Sequence, residues 1–211
     1  MKNTATIIEL CKPRRGVKPK FTPYHVLQAL ILLTERPYGR IELSKKLGLG
    51  EASTRTLINR LKNKGLVYID KVAGTVLTED GKSLVRDIMK IIHLVGEIDV
   101  SRYCAECKGF GAIIRKGLSI VKSVGVLELR DMVVREGAYG ALILTFKGNK
   151  LLLPLSRDFY EEFKDPKLIE GIRSAVELKE GDVIIIALCK GPLECSLPLL
   201  NAIVNLLSTH N

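Results

Sequence analysis

Short hydrogen-bonding and cationic side chains recur on one side of the segment 51–64. Leu57 and Leu61 are four residues apart, so they share one face of a helix and leave the other face to polar residues. That polar set is Ser53, Arg55, Thr56, Asn59 and Arg60. Hydroxyl, amide and guanidinium groups on an exposed helix are the types that contact base edges and phosphates. The segment is therefore a candidate nucleic-acid-contacting helix.

The residues before this segment predict a second helix that packs against it. Leu43 and Leu47 repeat at helical spacing, and Gly48-Leu49-Gly50 separates the two segments. Glycine allows the positive φ that a sharp reversal between helices requires. Gly65 follows the second segment at a position typical of a helix end. Together these signals predict two short helices joined by a tight turn.

A β-hairpin and a further helix are predicted directly after the second helix. Val67-Tyr68-Ile69 and Thr75-Val76-Leu77 flank a turn that contains Lys71, and Glu79 opens the next helix. A supporting helix begins after Thr22-Pro23. This order resembles the winged helix-turn-helix family of transcription regulators, on the residues LSKKLGLGEASTRTLINRLKNKGLV (43 to 67) and LTEDGKSLV (77 to 85). The resemblance extends over residues 22–92.

The resemblance implies that the chain binds double-stranded DNA in a sequence-specific manner. The helix over 51–64 would enter the major groove with Ser53, Arg55, Thr56 and Asn59 facing bases. The phosphate contacts would come mostly from Lys45, Lys46, Arg60, Lys62 and Lys71. A helical hairpin that serves only packing is the simpler alternative, but it requires neither a hairpin wing nor a basic outer face.

The charge distribution supports a polyanionic partner for the N-terminal part of the chain. Residues 1–90 hold 18 Lys and Arg against 8 Asp and Glu, which gives +10, whereas residues 91–211 hold 15 of each. The whole excess lies on the segment with the helix-turn-helix pattern. Residues 1–20, rich in cations and containing two prolines, predict a basic extended arm, either a solvated tail or a segment that reaches phosphates or a minor groove.

The predicted fold class is α+β, with a winged helix-turn-helix domain over 21–97 and a mixed α/β domain over 98–211. Strands are predicted at 109–115, 140–146, 151–154 and 182–189, and helices at 126–136, 158–163, 166–176 and 193–207. The helix from Glu79 is predicted to continue past Ile92 and to end at Gly96. Its apolar stripe either covers its own domain or forms a dimer seam, and a homodimer is the expected state. The stripe consists of Leu84, Ile88, Ile91, Ile92 and Val95.

Two sets of residues in the second half could bind ligands. Arg115, Arg130 and Asp131, with Arg135 on the same predicted helix, could line a pocket for a small anionic effector, although a surface helix with an internal ion pair is the favoured interpretation of Arg130 and Asp131. The turn at 190–192, which begins with Lys190, is a second candidate anion cradle. Cys104, Cys107, Cys189 and Cys195 could supply thiolates to zinc, but buried cysteines are the favoured interpretation. We predict no cofactor, metal or catalytic residue, because neither a nucleophile–base pair nor a phosphate-binding fingerprint is present.

The chain as a whole is similar to a group of archaeal two-domain proteins with an uncharacterised C-terminal domain. The segment LRDMVVREGAYGALILTF (129 to 146) beside the winged helix carries this resemblance. We predict a cytoplasmic regulator with neither a signal peptide nor a membrane span, in which the second domain dimerises or senses a small molecule. An enzyme with an appended winged helix and an RNA- or protein-binding module remain alternatives.

Overall fold

A computed structural model of the chain describes residues 2–14, 16–155, 159–190 and 195–209. The chain divides into two compact units, Met1–Met89 with Val204–Asn211, and Lys90–Ile203. The predicted boundary after residue 97 is therefore too late, and the last residues of the chain belong to the first unit. The predicted order of an N-terminal helix-turn-helix unit and a mixed α/β unit is confirmed.

The first unit is built mainly from helices around an aliphatic core. Its elements are α1 (Lys2–Cys11), α2 (Pro23–Glu35), α3 (Arg40–Leu47), α4 (Glu51–Asn63), β1 (Val67–Asp70), β2 (Gly74–Leu77) and α5 (Glu79–Met89). Leu27 and Leu30 of α2, Leu43 of α3, and Leu57 and Leu61 of α4 are fully buried. The apolar spacing that predicted these helices therefore marks their core-facing sides.

The prediction of an extended arm over residues 1–20 is wrong for its first half. Residues Lys2–Cys11 form α1, in which Ile7 and Leu10 are buried. The hydroxyl group of Thr4 also donates to the carbonyl of Leu207 at 3.2 Å. Apolar side chains three residues apart give this segment the spacing of a helix. This spacing determines the local structure, although the residues that follow are basic.

The hairpin formed by β1 and β2 is fixed to the turn between α2 and α3. The antiparallel pairing aligns Val67 with Leu77 and Asp70 with Gly74. Tyr38 exchanges two backbone hydrogen bonds with Thr75, at 3.2 and 2.8 Å. The carboxylate of Asp70 accepts from the amides of residues 72 and 73, which closes the hairpin turn and lowers the pKa of that carboxyl group.

The second unit is organised by an antiparallel sheet. Its elements are β3 (Ile92–Ile98), β4 (Cys107–Ile114), α6 (Leu118–Val124), α7 (Val126–Arg135), β5 (Gly140–Lys147), β6 (Lys150–Pro154), β7 (Tyr160–Glu162), α8 (Pro166–Ala175), β8 (Val183–Lys190) and most of α9 (Ser196–Thr209). In the described residues the strand order is β3-β4-β8-β5-β6-β7, and each pairing is antiparallel.

Both faces of this sheet are covered. Ile184 and Ile186 of β8 pack with Leu168 and Ile172 of α8 in one buried cluster. Residues of the opposite parity, such as Ile185, are buried as well. Strand β8 lies between β4 and β5, as expected for the uninterrupted apolar run from 183 to 189.

Two predicted helices are wrong. The helix from Glu79 ends at Met89, and residues 92–98 form β3, in which Gly96 lies at a register shift with φ +90°. Leu84, Ile88 and Ile92 are buried within the chain, so the stripe does not supply a dimer seam. The segment predicted as a helix over 158–163 contains strand β7, and its residue 158 lies outside the described residues.

Candidate nucleic-acid interface

Helix α4 presents a continuous polar surface to solvent. Its N-terminal turn follows Gly48, which has φ +62° and donates to the carbonyls of Ser44 and Lys45. Thr56 and Asn59 are exposed, and Ser53 at their edge is half-buried. The Thr56 hydroxyl donates to the carbonyl of Ala52 at 2.9 Å, and its oxygen can still accept a hydrogen bond. These side chains can therefore reach a ligand that lies along the helix.

Exposed cations surround this surface on three elements. Lys45 and Lys46 end α3, Arg55 and Lys62 lie on α4, and Lys71 lies in the hairpin turn. Within the described part of the chain, none of these five cations forms a salt bridge. Cations without internal carboxylate partners are available for external anions.

The structure removes Arg60 from the predicted set of phosphate contacts. Its side chain is only 6% exposed, and its Nη1 donates to the carbonyls of Leu10 at 2.6 Å and of Lys12 at 2.8 Å. The guanidinium carbon lies 5.3 Å from the ring centre of Phe21. Burial lowers the pKa of Arg60, and the charge of Arg14 lowers it further. Arg60 therefore stabilises the chain around it and is not free to contact phosphate.

A groove of about 510 Å³ lies beside α4, between that helix and the segment that follows α1. One wall contains Arg14, Lys18 and Lys20, and the other contains Thr56 and Asn59. Asn63 also lines the groove, together with Ser53. The sequence prediction omitted Asn63 and placed no specific residue of segment 12–20 at the interface, although the run of cations in that segment was the available signal.

Arg115, predicted to line the effector pocket, has internal partners at one end of the sheet. Arg115 is committed to Asp182, which is fully buried, and also donates to the carbonyl of Glu177 at 2.9 Å. Arg115 follows the end of β4 beside the start of β8, whereas Lys190 is the last residue of β8. A strand of this length separates its two ends by more than ~20 Å. Arg115 and the second candidate site at Lys190 therefore lie at opposite ends of this strand.

The remaining effector candidates lie at the surface in internal contacts. Arg130 is paired with Asp131 at 2.7 Å, and Arg135 is paired with Glu128. The ammonium group of Lys190 lies 4.3 Å from the ring centre of Tyr139. The proposed anion cradle at 190–192 falls largely outside the described residues, which stop at 190 and resume at 195. The surface ion pair offered as the alternative is the arrangement found.

The four cysteines considered for zinc are paired as disulfides in the structure. Cys104 is bonded to Cys107, and Cys189 is bonded to Cys195. Cys107 aligns with Lys190 and Cys189 aligns with Lys108, so the two half-cystines project from opposite faces of the sheet. Cys107 and Cys189 therefore do not face each other. Among the described residues no group of three or more His, Cys, Asp or Glu is placed to hold a metal ion.

Comparisons with known proteins separate along the same division of the chain. Residues 22–92 match the family model described as the CggR N-terminal DNA binding domain. Residues 107–204 match a domain of unknown function, DUF4443. No curated protein matches the chain significantly. The chain therefore combines an N-terminal helical DNA-binding domain with a C-terminal α/β domain.

One solved structure shares this fold over almost the whole chain. It is a hypothetical protein from Pyrococcus horikoshii OT3, with a TM-score of 0.64 and 24% sequence identity. The alignment covers 89% of this chain and 91% of that one. The similarity shows a common fold. Within the described residues, no helix has both the length and the apolar character needed to span a membrane.

Proposed function

We propose that the chain is a transcription regulator that binds double-stranded DNA through a winged helix-turn-helix, with α4 in the major groove. The observation that carries this proposal is the exposed polar face of α4, surrounded by exposed cations that form no salt bridge among the described residues. An α-helix fits the major groove, where each base pair presents a distinct pattern of donors and acceptors. Asn59 and Ser53 can read that pattern, and the match to a DNA-binding family supports the assignment.

The cations around α4 have a separate role in the proposal. Lys45, Lys46 and Lys62 contact phosphates on either side of the groove, and Lys71 places the hairpin, as a wing, against the backbone. Phosphate contacts fix the orientation of the protein, and base contacts determine which sequence is selected. The proposal assigns no catalytic reaction to either domain.

The proposal is tested by selection from a pool of random-sequence duplexes. The full chain is incubated with the pool, the bound fraction is recovered and sequenced, and the cycle is repeated. We expect enrichment of a short motif and binding that weakens as salt is raised, because phosphate contacts release counterions. Binding that is insensitive to salt, or repeated cycles that enrich no sequence, would contradict sequence-specific recognition.

We also propose that the chain acts as a homodimer through α7 of the C-terminal domain. Leu127 and Val134 are 68% and 38% exposed and share one face of this helix with the Arg130–Asp131 pair. A two-fold contact places the same patch on both partners, so apolar side chains and charges of both signs can complement each other. Helix-turn-helix proteins commonly bind two half-sites in this symmetric way.

A further inference from the structure

We infer that a cationic loop, described at residues 12–14 and 16–20, contacts the DNA backbone beside α4, and that Arg60 is the positioning residue that holds this loop. The inference rests on the proposed function, because it adds the loop to the DNA interface proposed for α4. The ligand chemistry is the phosphodiester backbone of a DNA duplex.

The start of the loop is anchored to α4 by Arg60. The guanidinium group donates to the carbonyl of Leu10 at 2.6 Å and to that of Lys12 at 2.8 Å. These carbonyls belong to the last turn of α1 and the residue after it, where helix geometry leaves acceptors without intrahelical partners. A buried guanidinium therefore satisfies backbone groups that would otherwise be unpaired, and in doing so it fixes where the loop begins.

The end of the loop is anchored as well. Phe21 is 2% exposed and lies under the guanidinium of the same Arg60, at 5.3 Å. The amide of Thr22 then donates to Nδ1 of His25 at 3.1 Å, at the start of α2. In the middle, Arg14 and Val17 form a β-bridge around Gly16, which has φ +79°. The loop is thus held at both ends and closed by its own turn.

Four cations of the loop are exposed beside α4. Lys12, Arg14, Lys18 and Lys20 are exposed, and residues 12–20 contain no acidic residue. None of these four cations forms a salt bridge within the described ranges. Arg14, Lys18 and Lys20 line one side of the groove whose other side is α4.

The loop flanks the polar face of α4 without covering it. Thr56, Asn59 and Asn63 line the groove and remain exposed. A duplex seated on α4 therefore passes within reach of the loop cations, and its backbone supplies phosphates that they can contact. Arg60 itself stays buried and acts only through the loop.

The first experiment removes two of the loop charges, those of Lys18 and Lys20. The variant Lys18→Ala/Lys20→Ala is compared with the charge-matched control Lys164→Ala/Lys167→Ala, which changes exposed residues of the C-terminal domain. Affinity of the full chain for a random-sequence DNA duplex is measured over a series of salt concentrations. We expect the negative slope of log affinity against log salt to become shallower by about 1.8 in the loop variant and to stay unchanged in the control, at about 0.9 per lost phosphate contact.

The second experiment tests Arg60 as a positioning residue. Arg60→Met is made alone and in the Lys18→Ala/Lys20→Ala background, with folding checked by circular dichroism and thermal melting. If Arg60 acts through the loop, Arg60→Met weakens DNA binding several-fold in the wild-type background and has a smaller effect once Lys18 and Lys20 have been replaced. Equal effects in the two backgrounds would show a role that is merely structural.

The outcomes separate this inference from the proposed function. Wild-type protein that does not bind DNA overturns both. Wild-type binding with loop and control variants of equal salt slope overturns the loop contact alone. A loop effect on double-stranded RNA of the same length, with none on DNA, also overturns it.

Discussion

At the scale of single residues, orientation on α4 determines which side chains can contact DNA. Asn59 and Arg60 are neighbours in the sequence, yet Asn59 is exposed and Arg60 is buried. Successive residues of an α-helix point about 100° apart, so adjacent polar residues can face opposite environments. Asn59 lies near the middle of the exposed face, between Thr56 and Lys62, and is the residue best placed to read a base.

Replacing Asn59 tests this assignment. We expect Asn59→Ala to reduce discrimination between a selected duplex and a scrambled one by about 1–3 kcal/mol, because a bidentate amide–base contact is lost. Lys62→Ala is the control, since loss of a phosphate contact weakens binding to both duplexes by a similar factor. Competition binding with the two duplexes measures both effects. An Asn59→Ala protein with undiminished discrimination would contradict the base-reading role.

The buried carboxylate of Asp182 holds the loops at one end of the sheet. It accepts from Arg115, from the amide of Lys179 at 2.8 Å and from the amide of Lys116 at 3.4 Å. We expect Asp182→Ala to lower the free energy of unfolding by about 3–5 kcal/mol, because Arg115 is left largely buried without its partner. Asp131→Ala, in a half-exposed pair, should change it by less than about 1 kcal/mol. Urea unfolding of both variants gives the comparison, and similar losses would refute this role.

The role of a residue could be predicted from the sequence only where its exposure and its contacts depend on neighbouring residues in the chain. The exposed positions of α4 follow from helical periodicity, and Ser53, Thr56 and Asn59 are found at the edge or centre of its polar face. The acceptors of Arg60 are carbonyls some fifty residues earlier in the chain. The partner of Arg115 lies at a similar distance after it. No local pattern shows such pairings, so both cations were assigned to ligands.

At the scale of elements, the hairpin depends on a close approach between its turn and the loop before α3. Gly74 has φ +94°, and a Cβ at this position would lie 2.7 Å from the carbonyl oxygen of Tyr38. The backbone pairing of Tyr38 with Thr75 therefore requires glycine at residue 74. The wing in the proposed interface relies on this junction.

A glycine substitution tests the junction. We expect Gly74→Ala to destabilise the first unit by more than about 1 kcal/mol, through both the contact and the positive φ. Gly50→Ala is the matched control, because residue 50 has φ −66° and open space where its Cβ would be. Thermal unfolding followed by circular dichroism measures both. A Gly50→Ala protein that is as destabilised as Gly74→Ala would show that the close approach is not the cause.

Element prediction succeeded where a strong period and a boundary signal coincide. Helices α2 to α4, the hairpin, α7, α8 and the strand β8 are close to their predicted bounds. The failures have physical reasons. Residues 88–95 place apolar side chains at spacings compatible with a helix, but the β-branched Ile91, Ile92 and Val95 also suit a strand, and pairing with β4 decides the outcome. In residues 1–20 the prediction followed the many cations of residues 12–20 and missed the apolar helical spacing of residues 2–11.

At the scale of the whole molecule, the chain joins a DNA-binding domain to an α/β domain in which Leu127 and Val134 of α7 are exposed. The two compact units divide between residues 89 and 90. The sequence, from the change of residue pattern after Gly96, predicts a later boundary. It could not predict that Val204–Asn211 belong with the first unit, because contacts between the two ends of the chain leave no local signal.

The homodimer makes a prediction at this scale. We expect Leu127→Glu to shift the protein from dimer to monomer and to weaken binding to a duplex with two half-sites, because a charge replaces an apolar contact at a two-fold interface. Val72→Glu, in the exposed hairpin turn, is the control and should remain dimeric. Sedimentation velocity at several protein concentrations distinguishes these states. A wild-type monomer, or a dimer that survives Leu127→Glu, would refute the interface.

Chemically modified duplexes show which groove the protein contacts, and they test directly whether α4 lies in the major groove. Selected duplexes are prepared with 7-deazapurines or 3-deazaadenine at single positions, which remove acceptors from the major and the minor groove respectively. If α4 contacts the major-groove edge, 7-deazapurines within the motif weaken binding. Binding that is unaffected by every 7-deazapurine but weakened by 3-deazaadenine would contradict it.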